Sequence, residues 1–182
     1  RGTYLVGIFL IGALGFSIVS YATPYRWARI MTYINPNANI ETQGYHINQA
    51  LNAIGSGGIA GVGLGESTTK IKYLPEPMTD SIFAIIGEEL GFIGGSAVLL
   101  LLGILVIRIL LLASQTTSRF GHLLLIGFGS LIGLQTLVHI GAITGLIPLT
   151  GVALRFISYG GTALACFLIM IGIVFNFTKH VR

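Results

Sequence analysis

Charge is what this chain of 182 residues has least of. Only 9% of its residues are Asp, Glu, Lys or Arg, where a soluble domain carries roughly 25%, so a solvated globular surface is excluded. Acids number six against ten Lys and Arg, and all six lie between Glu41 and Glu89. A net charge of +4, scattered along the chain, is too small for the basic footprint of a nucleic-acid partner. The single cysteine, Cys166, allows no internal disulfide. Four histidines, His46, His122, His139 and His180, stand far apart and show no metal-ligand spacing. His139 reads as a packed, hydrogen-bonded polar residue.

What is present is apolar. Hydrophobic residues make up 53% of the chain, and its 26 glycines suit close packing of membrane helices. A spanning helix needs about 20 apolar residues. Four stretches meet this, at residues 4–23, 81–113, 121–147 and 156–178. In the second, Leu90–Ala113 is the apolar run, and Arg108 lies close enough to its far end to snorkel. The third is interrupted by His122, Gln135 and His139. The fold class expected is an all-α membrane protein, a polytopic transmembrane helix bundle forming one domain. Tyr4 onward reads as a true span rather than a signal peptide. Because the chain starts at Arg1, it reads as a fragment of a longer protein.

Residues 24–80 form a connection far longer than helices usually need, and such loops are commonly functional. Arg26–Ile34 mixes cations and aromatics as an interfacial helix does. Asn35-Pro36-Asn37 reads as a turn. Tyr45–Ile54 places Ile47, Leu51 and Ile54 on one face of a short amphipathic helix. The run Gly55-Ser56-Gly57-Gly58-Ile59-Ala60-Gly61-Val62-Gly63-Leu64-Gly65 cannot be a stable helix. It formally matches a dinucleotide fingerprint, but no strand precedes it, so it reads as a structural loop. Arg119, Lys179 and Arg182 lie near span ends, which favours the short connection at Arg119 and the C-terminus being cytoplasmic and the long loop outside.

The acids concentrate where that loop meets the second span. Pro75 and Pro77 hold Glu76 extended, and Thr79 or Asp80 is placed to cap the helix starting near Ser81. Glu88 and Glu89 fall about two turns further in, where pairing with Lys or Arg, or a polar contact between helices, is the structural explanation. Asp80, at a membrane-water boundary with Lys70 and Lys72 upstream, suits proton abstraction from a hydroxyl beside an anionic phosphate leaving group. Ser158, in Ile157-Ser158-Tyr159-Gly160-Gly161, lacks a nucleophile-elbow pattern.

The blocks Gly44–Gly58, Gly63–Ser67 and Tyr73–Phe92, with Thr144–Gly151 and Phe156–Gly161 in the same order, resemble the SEDS family (shape, elongation, division and sporulation). The resemblance spans nearly the whole chain. It implies the seventh to tenth helices of a ten-helix protein in the bacterial cytoplasmic membrane, with the long loop and active face extracytoplasmic. The division branch is nearest and the elongation branch second. The implied activity is polymerisation of lipid II into glycan strands, alongside a class B penicillin-binding protein, other division proteins and membrane lipid. Asp80 matches the family's essential aspartate. Lys70, then Lys72, or a divalent cation (Mg or Mn) would neutralise the leaving group, and no organic cofactor is implied. Glu76, Glu89 and Ser158 match further substrate-binding positions.

Three positions depart from the family pattern: Met78 for a frequent His, Arg155 for a frequent Pro, and His139 for a frequent Asn. Arg155 puts a cation where phosphate or partner contacts would feel it. Two other readings compete. A lipid II transporter or carrier would need a polar path through the bilayer, for which only Gln135 and His139 speak. A division scaffold would tolerate loss of Asp80.

Overall fold

The computed structural model describes residues 43–67, 81–148 and 150–178, with the isolated positions 7, 12, 15, 23, 31 and 33. The chain divides into two compact units, Arg1–Tyr45 and His46–Arg182. In the first, Gly7, Gly12, Gly15, Met31 and Tyr33 are helical; the rest of the expected span at 4–23, of the interfacial helix and of the Asn35-Pro36-Asn37 turn lies outside the described residues.

Four helices are described: α1 Gln43–Ser56, α2 Ile82–Gln115, α3 Arg119–Ile143 and α4 Gly161–Thr178. No strand occurs among the described residues. The last three helices are long and apolar enough to cross a membrane. Their outward side chains, such as Leu100, Leu101, Leu134, Leu137 and Ile169, are large, apolar and exposed, as suits helices of this composition.

α2 and α3 form a hairpin across the three-residue turn Thr116–Ser118. The Thr116 hydroxyl donates to the Leu112 carbonyl at 2.9 Å. Ser118 caps α3 by accepting from the Gly121 amide, and His122 Nδ1 donates to the Ala113 carbonyl at 2.7 Å. Gly129 and Gly133, one turn apart, face Leu110, Ile109 and Val106 of α2, so small residues set the spacing of the two helices. Ile109, Ala113, Leu125, Ile132, Phe167 and Val174 form the core at this end.

The other end is less regular. α3 stops at Ile143, short of residue 147. The cause is Gly145, whose φ of 73° takes the chain out of the helix. Gly145 and Leu146 amides close back on the Ala142 and Gly141 carbonyls at 3.2 and 2.8 Å, a glycine-terminated C-cap. α4 begins only at Gly161, because Phe156 has φ 68°, which a helix does not accept. Between them residues 144–160 fold back into the bundle: Leu154 is 1% exposed and shares a core with Ala50, Ala53, Phe83, Ala84, Ile85, Leu102 and Ile143. In α1 the buried face is therefore the small one, Ala50 and Ala53, while Leu51 is exposed. Close approach of α1 to the first turn of α2 leaves no room for larger residues there.

Candidate functional site

The sequence points to the start of α2. Asp80, Glu76, Lys70, Lys72 and Met78 lie outside the described residues, but the residues on either side of that segment are held firmly. Ser81, at the N-cap position of α2, makes no side-chain capping bond. It is fully buried, and its hydroxyl is hydrogen-bonded to His46 Nε2 of α1 at 3.0 Å. The capping position thus falls on Ser81 rather than on Thr79 or Asp80; its carbonyl accepts from the Ala84 and Ile85 amides. At the other boundary, Ser67 donates to Glu88 Oε2 at 2.5 Å, with both residues at most 2% exposed. Glu88 lies about 10 Å beyond Ser81 along α2 at 1.5 Å per residue. The chain leaves Ser67 and rejoins at Ser81 between two points fixed on one helix.

The glycine run is what fixes them. α2 is broken at Gly91, where φ is 66° and ψ −165°. A break deprives the flanking turns of hydrogen-bond partners, and in a membrane protein such groups must be satisfied internally. Here the loop supplies them. Val62 and Gly63 amides donate to the Glu88 and Glu89 carbonyls at 3.0 and 3.1 Å, and the Phe92 and Ile93 amides donate to the Gly58 and Ile59 carbonyls at 2.9 and 3.2 Å. The contact is backbone against backbone: a Cβ on Gly61 would sit 2.2 Å from the Glu89 carbonyl oxygen. One on Gly91 would sit 2.3 Å from the Gly61 nitrogen. The run is a structural splint, and no phosphate-binding role is needed to explain its glycines. Beyond the break, Phe92–Gln115 extends roughly 36 Å, enough alone for a hydrocarbon core of about 30 Å.

Ser158 sits in the third irregular piece. Two polar residues one turn apart on α3 hold the returning loop: His139 Nδ1 donates to the Val152 carbonyl at 2.7 Å. Arg155 Nε donates to Gln135 Oε1 at 2.8 Å. The Arg155 guanidinium also lies 5.2 Å from the centroid of Phe167, and Phe156 meets the same ring edge-on at 5.6 Å. Ser158 follows, its amide donating to the Leu154 carbonyl at 2.9 Å. His139 is thus the packed, hydrogen-bonded residue the sequence suggested. Gln135 and His139 are both engaged in holding the loop.

Glu89 stands on the last turn before the break, half-buried, with its carbonyl engaged by the loop. Glu88, for which the sequence suggests a base or a polar interhelical contact, accepts from the loop hydroxyl of Ser67. Sequence reasoning missed Ser67, Ser81 and the structural role of His46. The signal in each case is a contact 21 or 35 residues away, which no local pattern carries. Among the described residues no three His, Cys, Asp or Glu side chains come together to hold a metal ion.

Comparison with known proteins follows this geometry. The FtsW/RodA/SpoVE family model, described as a cell cycle protein, matches residues 1–182. Stage V sporulation protein E of Bacillus subtilis is 43% identical over 182 residues, covering all of this chain and 50% of that protein. A probable peptidoglycan glycosyltransferase FtsW of the same organism is 40% identical, covering all of this chain and 47% of its own length. A solved structure, described as showing structural coordination of polymerization and crosslinking by a peptidoglycan synthase complex, superposes with a TM-score of 0.76 at 27% identity. It covers 98% of this chain and 49% of that one. The chain spans about half the length of the curated relatives it matches.

Proposed function

This chain belongs to the FtsW/RodA/SpoVE family of cell cycle proteins, and from that premise we propose that it is the C-terminal half of a peptidoglycan glycosyltransferase that polymerises lipid II. It is a multi-pass helical membrane protein. The observation that carries the catalytic reading is the match over every residue of the chain to a family whose members include named peptidoglycan glycosyltransferases. The FtsW branch is preferred over the RodA branch on the relatives named FtsW at 36–40% identity. The bacterial cytoplasmic membrane, with the loop side outside, is the setting.

In this reading Asp80 removes the proton from the acceptor sugar's 4-hydroxyl as that oxygen attacks the anomeric carbon of the donor. Undecaprenyl diphosphate departs from the opposite face, so the α linkage becomes β. Lys70, and next to it Lys72, stabilises the negative charge growing on the diphosphate. Glu76, Glu89 and Ser158 are the proposed substrate contacts. A divalent cation would take hard oxygen ligands. The ion's contribution would be charge neutralisation at the departing diphosphate, with Glu76 the acid of this chain offered to it while Asp80 serves as the base. The role of the surrounding structure is positional. A general base contributes about 10²–10⁴-fold only when held within hydrogen-bond reach of its proton, and the neighbouring Ser81 is fully buried and tied to α1. A class B penicillin-binding protein, other division proteins and membrane lipid are the proposed partners.

The test uses the full-length protein with its cognate penicillin-binding protein and labelled lipid II. Asp80→Asn should lower glycan extension by at least a hundredfold while leaving insertion and complex formation intact. Wild-type extension by that variant would refute the assignment and favour a carrier or scaffold.

A further inference from the structure

The end of the bundle away from the glycine loop holds an exposed cation, Arg108, within snorkelling reach of the headgroups. Every carboxylate of the chain lies between Glu41 and Glu89, so α3, α4 and α2 beyond its break contain no acid. Arg108 nevertheless sits within α2, about 10 Å before its end at Gln115. A guanidinium at that depth needs a counter-charge or a route to the headgroups. Arg108 lines a cavity of about 280 Å³ between α2 and α4. Its walls include Leu112, Val174 and Phe175, and Gln115 and Thr178 stand where the two helices end.

We propose that this cavity binds an anionic phospholipid, with its phosphate held by Arg108 at the helix ends and an acyl chain against the apolar wall. Two features select this occupant. The cavity is apolar along its length and polar at one end, which is the polarity of a lipid. Its cation is matched by no acid on the three helices, so charge complementarity asks for an anion from the surroundings. A zwitterionic lipid would bring its own ammonium into this field, so the preference is for a net-negative headgroup. The site is separate from the proposed glycan chemistry and does not depend on it.

The experiment takes the full-length protein in nanodiscs of mixed phosphatidylglycerol and phosphatidylcholine and counts retained lipid by native mass spectrometry. Wild type should retain phosphatidylglycerol in preference. Arg108→Gln should reduce that retention about fivefold, the worth of one cation near an anionic surface. Leu111→Trp, at an exposed position on the rim, should reduce it comparably without changing charge, whereas Arg119→Gln should leave it within twofold. The proposal is overturned if Arg108→Gln retains lipid as wild type does, or if Arg119→Gln loses as much, which indicates diffuse surface charge. It is also overturned if phosphatidylcholine is retained equally, or if wild type retains none because the rest of the protein covers the cavity.

Discussion

Replacing Gly61 with alanine should strike the splint that closes the break in α2. Two costs arise. Gly61 has φ 83°, and a side chain in the left-handed region costs about 1–2 kcal/mol. Its Cβ would also lie 2.2 Å from the Glu89 carbonyl oxygen, so the loop must lift away. The amides of Val62 and Gly63 then lose the Glu88 and Glu89 carbonyls. Each buried carbonyl left without a partner costs about 1–3 kcal/mol. Together these give about 3–8 kcal/mol, a large part of the ~5–15 kcal/mol by which proteins are usually stable. Two further glycines separate strain from collision. Gly65 has φ 85° with open space around its Cβ, so Gly65→Ala should show the strain alone, about 1–2 kcal/mol. Gly55 lies in α1 with open space and no positive φ, so Gly55→Ala should be neutral or stabilising by about 0.5–1 kcal/mol.

The assay is denaturant unfolding of the full-length protein in detergent micelles, with hydrogen exchange at the Phe92 and Ile93 amides. Both amides donate across the break, so Gly61→Ala should speed their exchange, and Gly65→Ala should not. If Gly61→Ala is no more destabilising than Gly65→Ala, or if Phe92 and Ile93 keep their protection, the splint is not what satisfies the broken helix.

Two further outcomes follow from single contacts. Ser67→Ala removes the donor to the buried Glu88 carboxyl and should cost about 1–3 kcal/mol; Glu88→Gln, which keeps an acceptor oxygen for Ser67, should cost less than Ser67→Ala in the same unfolding assay. At the returning loop, a double-mutant cycle of Gln135→Leu and Arg155→Leu should give a coupling of about 0.6–1.7 kcal/mol, the range found for polar contacts inside membranes. Zero coupling would mean that the 2.8 Å bond does not hold the loop.

The sequence disclosed some of this arrangement and hid the rest for a physical reason. Hydrophobic length announces helices such as α2 and α4, because burial in hydrocarbon acts on each segment by itself. The glycine run announces that it is not helix, because its residues are weak formers. Neither property says where the run goes. Its destination is set by the break at Gly91, some thirty residues on, and Gly91 is one of four glycines between Gly87 and Gly95, with nothing in the pattern to mark it as the one where the helix parts. Residues 156–160 were equally opaque, since Phe156 and Ile157 are as apolar as the helix they precede. Only the φ of Phe156 and the bond from Arg155 to Gln135 turn them inward. Arg155 itself, noticed as a departure and expected to affect phosphate or partner contacts, has Gln135 and Phe167 as its observed partners. Of the proposed site, Glu89 and Ser158 fall on these irregular pieces, while Asp80, Glu76, Lys70 and Lys72 lie outside the described residues.

The irregular pieces bear on mechanism together. The segment of α2 before the break is gripped by α1 through Ala50, Ala53 and His46, by the glycine loop through two backbone bonds with two more just past the break, and by the returning loop through Leu154. A carrier that shuttles a lipid needs elements able to exchange partners, and polar groups free to line its route. Here backbone is locked to backbone with no side chain between. Two polar residues of α3, Gln135 and His139, hold the loop that leads to Ser158. A rigid platform of this kind suits chemistry that needs an acid held still against a sugar hydroxyl. The family match carries the glycosyltransferase proposal, and this framework around the start of α2 is consistent with it.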